Sequence, residues 1–310
     1  MQSKIDNIRE KSWMKTFELV QNKILKPEEI VPFKDYFFEL LQNTNDNVYD
    51  TWSYSIDELV KSKILTLKES IFFYDKALEI DAKNTGAWNG KGNVYYDLKQ
   101  YDEALKYYDQ ALEIDPKYTS ALNGKGDVYR NLKEYDEAIK CYDQALEIDA
   151  RNTNAWNYKG DVYYDLKQYD EALKYYDKAL AIDLTRISTL INKANSLHYL
   201  QKYDEAIEYY DKALAIDPSD IDDLNGKAIS LQSLQKYDEA IQYYDKALAI
   251  EPLNVRILNG KAAAFKDLQG YDEALQYFDK ALAIEPSNFI ALGNKATILA
   301  TQEKYDEAIE

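Results

Sequence analysis

Hydrophobic and polar residues recur along most of the chain with a fixed period of 34 residues. The phrase Tyr-Asp-Glu-Ala appears seven times at this interval, beginning at Tyr101, Tyr135, Tyr169, Tyr203, Tyr237, Tyr271 and Tyr305. Each period contains two stretches whose apolar residues are spaced for one helical face, with short polar turns between them. The pattern therefore predicts a tandem array of helix pairs. Positions within a repeat are counted from Thr85 as position 1.

The first regular repeat shows how one helix pair is composed. The apolar face of its first helix consists of Trp88, Tyr95 and Leu98. The inner face of its second helix consists of Ala104, Leu105, Tyr108, Ala111, Leu112 and Ile114. Small residues stand at position 8 of every repeat, as Gly92, Gly126, Gly160, Ala194, Ala228, Ala262 and Ala296. Because small side chains let two helices approach closely, we expect position 8 to lie where the paired helices meet.

The repeats divide the chain into four parts. Six regular repeats cover residues 85–288, and a truncated seventh covers 289–310. Residues 51–84 are interpreted as a divergent repeat, with Ser70 at a small position. Residues 1–50 are expected to form a divergent helical cap, which is either a degenerate repeat or an unrelated helical segment. The incomplete last repeat suggests either a fragment of a longer protein or an end that dimerisation completes.

These residues resemble the tetratricopeptide repeat family. The family pattern of Trp, Leu-Gly, Tyr, Ala, Phe and Pro is matched here by Trp88, Gly92, Tyr95, Ala104, Tyr108 and Pro116. Lys replaces Leu at position 7, and Tyr replaces Phe at position 24. The resemblance covers residues 85–310 and implies an all-α fold, a right-handed α-solenoid of tandem helix-turn-helix repeats. It also implies a concave groove formed by the first helices.

Lysine recurs at position 7 and aspartate at position 25 of the repeats. The lysines are Lys91, Lys125, Lys159, Lys193, Lys227, Lys261 and Lys295, and the aspartates run from Asp75 to Asp279. We predict a ladder of ion pairs between repeats, in which the aliphatic part of each lysine packs along the seam.

Composition excludes several classes of function. The 310 residues include 38 basic and 55 acidic side chains, one His and one Cys, and the net charge is −17. One Cys cannot form an intrachain disulfide, and one His cannot form a multi-His metal centre. The acidic balance disfavours binding to nucleic-acid phosphates. Without a signal peptide or a bilayer-length apolar stretch, the chain is expected to be cytoplasmic and to make no membrane contact.

No motif indicates catalysis. Residues 86–92 resemble a phosphate-binding loop but have one residue too few, and residues 220–226 resemble a calcium loop with the third ligand one residue late. Cys141 and His198 occupy different faces of different repeat helices, which makes a nucleophilic pair improbable. We predict a protein that is not an enzyme and has no cofactor or metal.

The resemblance places positions 2, 5, 9, 12 and 13 of each first helix in the groove. Position 5 carries asparagine in five repeats, as Asn89, Asn123, Asn157, Asn225 and Asn259. Positions 9 and 12 add Asp127, Asp161, Tyr96, Arg130, Tyr164 and His198. Amide side chains can bond the backbone of any extended peptide, but they can also link neighbouring helices.

The function predicted from these residues is a noncatalytic protein–protein interaction scaffold that binds an extended polar or basic peptide segment in its groove. Asp127 and Asp161 would favour cationic side chains, while Tyr96 and Tyr164 would offer rings for stacking. An alternative is an accessory, substrate-recruiting domain of a larger enzyme, for example a glycosyltransferase, with its catalytic region beyond residue 310. A further alternative is self-association through the unfinished C-terminal face.

Overall fold

The computed structural model describes residues 66–302. In these residues the regular structure is entirely helical, which confirms the predicted all-α class. The helices are α1 (Leu67–Ile80), α2 (Thr85–Asp97), α3 (Tyr101–Ile114), α4 (Thr119–Asn131), α5 (Tyr135–Ile148), α6 (Thr153–Asp165), α7 (Tyr169–Ile182), α8 (Ile187–Tyr199), α9 (Tyr203–Ile216), α10 (Ile221–Ser233), α11 (Tyr237–Ile250), α12 (Val255–Asp267), α13 (Tyr271–Ile284) and α14 (Phe289–Thr301). The predicted cap at 1–50, the start of the divergent repeat at 51–65 and the final residues 303–310 lie outside the described residues.

The chain forms two compact units, residues 1–155 and 156–310. The described part of the first unit holds α1 to α5 and the first turn of α6. The second holds the rest of α6 and α7 to α14. Within each unit, every helix packs against the next one along the chain, and first helices of successive repeats also contact each other, as α2 does with α4 and α10 with α12. Each unit is therefore a stack of helix pairs.

The first helices α2, α4, α6, α8, α10 and α12 are each followed by a residue with left-handed backbone conformation. In the first regular repeat this residue is Lys99, with φ of 58°. Its N–H donates to the carbonyl of Tyr96, and the N–H of Gln100 donates to the carbonyl of Tyr95, both at 2.8 Å. This pair of bonds satisfies two carbonyls that the helix end would leave open, and it turns the chain back toward the second helix. The equivalent residues of later repeats also have positive φ: Lys133, Lys167, Gln201, Gln235 and Gln269.

A buried aromatic ring at position 24 forms the centre of each repeat. The rings are Tyr74, Tyr108, Tyr142, Tyr176, Tyr210, Tyr244 and Phe278, all at most 2 % exposed. The small residue at position 8 lies against this ring. A Cβ atom added to Gly126, for instance, would lie 2.7 Å from Cζ and 2.9 Å from Cδ1 of Tyr142. The close approach of the paired helices thus depends on which side chain occupies position 8.

The predicted ion-pair ladder is confirmed in both units. Lys125 pairs with Asp109 at 2.6 Å in the first unit. In the second unit, Lys261 pairs with Asp245, donates to the Tyr277 hydroxyl at 2.7 Å and lies 4.2 Å from the centre of that ring. Burial lowers the pKa of Lys261, but its hydrogen bonds with Asp245 and Tyr277 outweigh this effect, and the pKa is raised. Because the aspartates are about half exposed, each pair contributes only about 0.2–1 kcal/mol.

None of the helices in residues 66–302 combines the length and the apolar character that crossing a lipid bilayer requires.

Candidate functional site

The site residues predicted from the sequence lie on the first helices of successive repeats. In the first unit they are Asn89 and Tyr96 on α2, and Asn123, Asp127 and Arg130 on α4. In the second unit they are Asn157, Asp161 and Tyr164 on α6, His198 on α8, Asn225 on α10 and Asn259 on α12. Positions 5, 9, 12 and 13 share one side of each first helix, which we call the first-helix face.

The five position-5 asparagines of this face are buried, with exposures between 2 % and 8 %. Asn123 Nδ2 donates to Asn152 Oδ1 at 3.3 Å, and Asn152 accepts from the backbone N–H of Ala155, which caps the start of α6. In the second unit Asn259 donates in the same way to Asn288, the N-cap of α14, at 3.0 Å. These amides therefore join one first helix to the start of the next and leave little surface for a ligand.

Asn157 and Asp161 belong to a network inside the second unit. Asn157 Nδ2 donates to Asp161 Oδ2 at 3.2 Å, and the Thr189 hydroxyl donates to Asn157 Oδ1 at 2.8 Å. Asp161 Oδ1 accepts from the Tyr176 hydroxyl at 2.9 Å and from Asn192 Nδ2 at 2.8 Å. Three donors thus hold the Asp161 carboxylate, which is 8 % exposed. The sequence interpretation had not identified Thr189 and Asn192 as partners of these residues.

A hydrogen bond connects position 24 to position 9 in several repeats. The Tyr142 hydroxyl donates to Asp127 Oδ1 at 2.7 Å, and the Tyr108 hydroxyl donates to Asn93 Oδ1 at 2.9 Å. Where position 9 is Ile229, Tyr244 donates instead to Gln232 at 3.0 Å. Where position 9 is Ala263, the ring at position 24 is Phe278, which has no hydroxyl. Because a buried hydroxyl needs an acceptor, a tyrosine at position 24 is matched by a polar residue at position 9 or, beside Ile229, by Gln232 at position 12. This covariation within the chain could have been read from the repeats.

We expect Asp127→Ala and Tyr142→Phe to be energetically coupled. Asp127→Ala removes the acceptor of the buried Tyr142 hydroxyl, and Tyr142→Phe removes one donor to the Asp127 carboxylate. Each single substitution should lower the free energy of unfolding by about 1–2 kcal/mol. The double variant copies the native pair of Ala263 and Phe278. Its loss of unfolding free energy should be smaller than the summed losses of the two single variants by at least about 1 kcal/mol. Urea unfolding of the four proteins measures this difference. Additive losses would show that the hydroxyl–carboxylate bond contributes nothing to stability.

Polar and aromatic side chains remain partly exposed on the first-helix face of the first unit. Asn131 Nδ2 donates to the Tyr96 hydroxyl at 2.7 Å, which links α4 to α2. Burial raises the pKa of Tyr96, and the nearby Asp127 carboxylate raises it further, so this phenol is neutral at physiological pH. The charge of the partly buried Arg130 lowers the pKa of Tyr96, but by less than burial and Asp127 raise it. This stretch thus presents a carboxylate, a cation and a phenol side by side.

Five rings meet on the second unit, and we call them the aromatic cluster: Tyr164, Tyr169, His198, Tyr199 and Tyr203. Tyr199 stacks on Tyr169 with ring centres 5.0 Å apart and meets Tyr164 edge-on at 5.8 Å. His198 contacts Tyr203 at 5.2 Å, and its Nδ1 lies 2.9 Å from the Ser230 hydroxyl. Burial lowers the pKa of His198, which keeps the imidazole neutral at pH 7. Tyr199 was not among the predicted site residues.

The described residues show no arrangement that points to catalysis. Burial raises the pKa of the Cys141 thiol to about 11, so the thiol stays protonated at neutral pH and is a poor nucleophile. Within residues 66–302, the His, Cys, Asp and Glu side chains form no group of three or more that could hold a metal ion.

Comparison with known protein families identifies one repeat type throughout the regular part of the chain. A sequence model of the tetratricopeptide repeat matches residues 84–149, 151–219 and 185–250, and a second model of this repeat matches residues 225–288 and 261–310. The repeat of the protein prenyltransferase alpha subunit matches only residues 135–166. No curated protein sequence matches the chain.

Several solved structures share this fold. One is described as the functional characterisation of Pseudomonas aeruginosa pilF, with a TM-score of 0.61, 25 % identity, and 69 % of this chain and 97 % of that one covered. The hetero-tetramer Cut9–Hcn1 of APC/C gives 0.67 with 17 % identity, covering 88 % of this chain and 51 % of that one. PilW, a type IV pilus biogenesis factor, gives 0.62 with 23 % identity, covering 67 % and 96 %.

Proposed function

The chain belongs to the tetratricopeptide repeat family, and because this repeat fold is in general a noncatalytic protein-interaction scaffold, we propose that its first-helix face binds an extended, polar or basic peptide segment. The observation that carries the proposal is a run of partly exposed polar side chains on consecutive first helices. In the first unit this run consists of Asn93, Tyr96, Asp127, Arg130 and Asn131. Hydrogen bonds to neighbouring helices hold Asn93, Tyr96, Asp127 and Asn131 in place before a ligand arrives, which lowers the entropy lost on binding.

A carboxylate at position 9 supplies the preference for cationic peptides. Asp127 is partly exposed, and its Oδ1 accepts from Tyr142 in the bond described above. Other repeats carry a neutral asparagine at the same position, Asn93 and Asn195. A basic side chain of the peptide would therefore be attracted to the repeats that carry Asp127 and Asp161, within a protein whose net charge is −17.

The buried asparagines support the face indirectly in this proposal. Asn123 and Asn259 donate to the N-cap residues of the next first helix, so they set the spacing between the helices that the peptide would contact. Direct contacts would come from the more exposed groups, chiefly Asp127, Tyr96 and Tyr164. Binding would then depend on side chains at positions 9 and 12 more than on position 5.

Removing the two position-9 charges tests the proposal. Asp127→Asn and Asp161→Asn keep an acceptor for Tyr142 and Tyr176, as Asn93 and Asn195 do natively for Tyr108 and Tyr210. We expect the double variant to bind Lys-containing Gly/Ser peptides about 2- to 30-fold more weakly than the parent, because two charge pairs are lost. Fluorescence anisotropy of labelled peptides of equal length, containing Lys, Glu or neither, measures the affinity.

The matched control is Asp102→Asn/Asp136→Asn, which removes two exposed charges from the first turns of second helices. This control has the same net charge as the test variant, so it separates a local effect from the field of the whole protein. Equal loss of affinity in both double variants would contradict the proposed site. Equal affinity of the parent for Lys and Glu peptides would contradict the preference for basic segments.

A further inference from the structure

The aromatic cluster differs from the equivalent place in the other repeats. Position 13 carries Tyr199 here, whereas the other five regular repeats have Asp97, Asn131, Asp165, Ser233 and Asp267, and the truncated repeat has Thr301. In the first unit Asn131 bonds to the hydroxyl of Tyr96. In the second unit Tyr199 instead packs its ring against Tyr164 and Tyr169, and 57 % of its surface stays exposed. An aromatic surface that faces solvent is thus present at one repeat of the array.

The ring faces of this cluster differ from other tyrosine rings of the second unit in their relation to lysine. In this unit, lysines of first helices lie over tyrosine rings of second helices. Lys193 Nζ lies 4.2 Å from the ring centre of Tyr209, and Lys227 Nζ lies 4.2 Å from that of Tyr243. Within residues 66–302, no lysine or arginine lies over the ring of Tyr164, Tyr169, Tyr199 or Tyr203. The face of an aromatic ring is electronegative and attracts a cation within about 6 Å of its centre. A cation from outside the chain could therefore lie on the part of the Tyr199 ring that is exposed and not stacked on Tyr169.

The charges around the cluster favour a cation as well. Burial raises the pKa of Tyr164, and the neighbouring tyrosines and the exposed Asp165 carboxylate at the end of α6 raise it further. Asp161 lies one turn earlier on the same helix. His198, the one ionisable ring of the cluster that could become positive near neutral pH, is kept neutral by burial. The Asp165 carboxylate thus adds negative charge beside the Tyr164 ring.

We propose that the aromatic cluster binds an arginine side chain of the partner peptide, with the planar guanidinium lying on the exposed ring of Tyr199. Arginine fits better than lysine because a flat, weakly hydrated guanidinium stacks on a ring while its N–H groups remain able to donate to tyrosine hydroxyls and to Asp165. This inference rests on the proposed function, since it names the residue that the partner presents to one repeat of the first-helix face.

Fluorine NMR on the full chain tests the contact directly. 3-Fluorotyrosine placed at position 199 reports on the ring itself. The probe is an acetylated Gly/Ser peptide with one central arginine, and the reference is the same peptide with citrulline, which has the same shape but no charge. We expect the fluorine resonance to shift and saturate with the arginine peptide at low salt, and to move little with citrulline or lysine.

Two substitutions complete the test. Tyr199→Ser introduces the residue that the next repeat has at position 13 and should weaken binding of the arginine peptide about 2- to 30-fold, whereas Ser233→Ala at that next repeat should leave it unchanged. Equal shifts with citrulline would overturn the inference. It would also be overturned if the arginine peptide bound without moving the resonance and Tyr199→Ser had no effect. In that case the preference of the position-9 carboxylates for basic peptides would still stand, so the two failures are distinguishable.

Discussion

Replacing Asp223 with alanine is expected to stabilise the protein at high pH. The difference in unfolding free energy between the variant and the parent should grow by about 3–4 kcal/mol from pH 4 to pH 8. Asp223 is 0 % exposed, and among the residues that the structure describes neither of its carboxylate oxygens has a hydrogen-bond partner. It occupies position 3, at the start of α10, where other repeats have Ala87, Ala121, Ala155, Thr189, Ile257 and Ala291. Alanine therefore suits this place in the repeat.

Burial explains the pH dependence. It raises the pKa of Asp223 to about 7 from a reference of 3.8, and the charges of Asp220, Asp222 and Asp217 add to this shift. Between these two values the unfolded chain has lost the proton that the folded chain still holds. Folding therefore becomes less favourable as the pH rises through this interval, and above pH 7 the full cost of a buried charge remains. Below pH 4 both states are protonated and the cost disappears. The nearby Tyr210 on α9 stays neutral throughout, because burial and then Asp223 raise its pKa.

Urea unfolding of parent and variant from pH 4 to pH 8 measures the effect. Amide hydrogen exchange in α9 to α11 shows whether the change is local, as expected in a stack whose repeats contact only their neighbours. Asp238→Ala, at an exposed position in the first turn of α11, serves as the control and should leave the pH profile parallel to that of the parent. A parallel profile for Asp223→Ala would show that this carboxylate is not desolvated.

Gly126→Val should lower the free energy of unfolding by about 3 kcal/mol, the upper end of the usual range for overpacking. The Cβ atom alone would lie within 3 Å of three atoms of the Tyr142 ring, which is fully buried, so the ring must shift to accommodate it. Two further methyl groups enlarge the conflict, and valine also fits a helix less well than alanine. Because Tyr142 donates to Asp127, displacing its ring should disturb the first-helix face as well.

The control for this substitution is Gly126→Ala. Alanine occupies position 8 in later repeats, where Ala194 packs with Tyr210 and Ala228 with Tyr244. A small shift of the ring is therefore compatible with the repeat, and the higher helix propensity of alanine offsets the strain by about 1 kcal/mol. We expect a net change near zero, measured by thermal unfolding. Equal losses for alanine and valine would mean that the ring cannot shift at all, and no loss for valine would mean that the contact is not tight.

The 34-residue period was sufficient to predict the family and the helix pairs. In a repeat stack each helix contacts its neighbours along the chain, so the apolar spacing of one repeat already specifies most of what surrounds it. The ion-pair ladder could be predicted for the same reason, since Lys125 and Asp109 recur at a constant separation in the repeats on either side. The dependence of position 9 on position 24 was equally accessible, because Ala263 and Phe278 change together.

The exposure of each polar residue was decided by the tertiary structure alone. Asn123 and Asp127 occupy one side of the same helix, yet the amide is buried against the start of the next first helix while the carboxylate stays partly exposed. In the sequence, nothing distinguished Asp223 from the other acidic residues or Tyr199 from the other tyrosines. The reason is that periodicity reports only which side of a helix a residue occupies. Burial, pKa and ring contacts depend on distances to side chains of other helices, which lie one or two elements further along the chain.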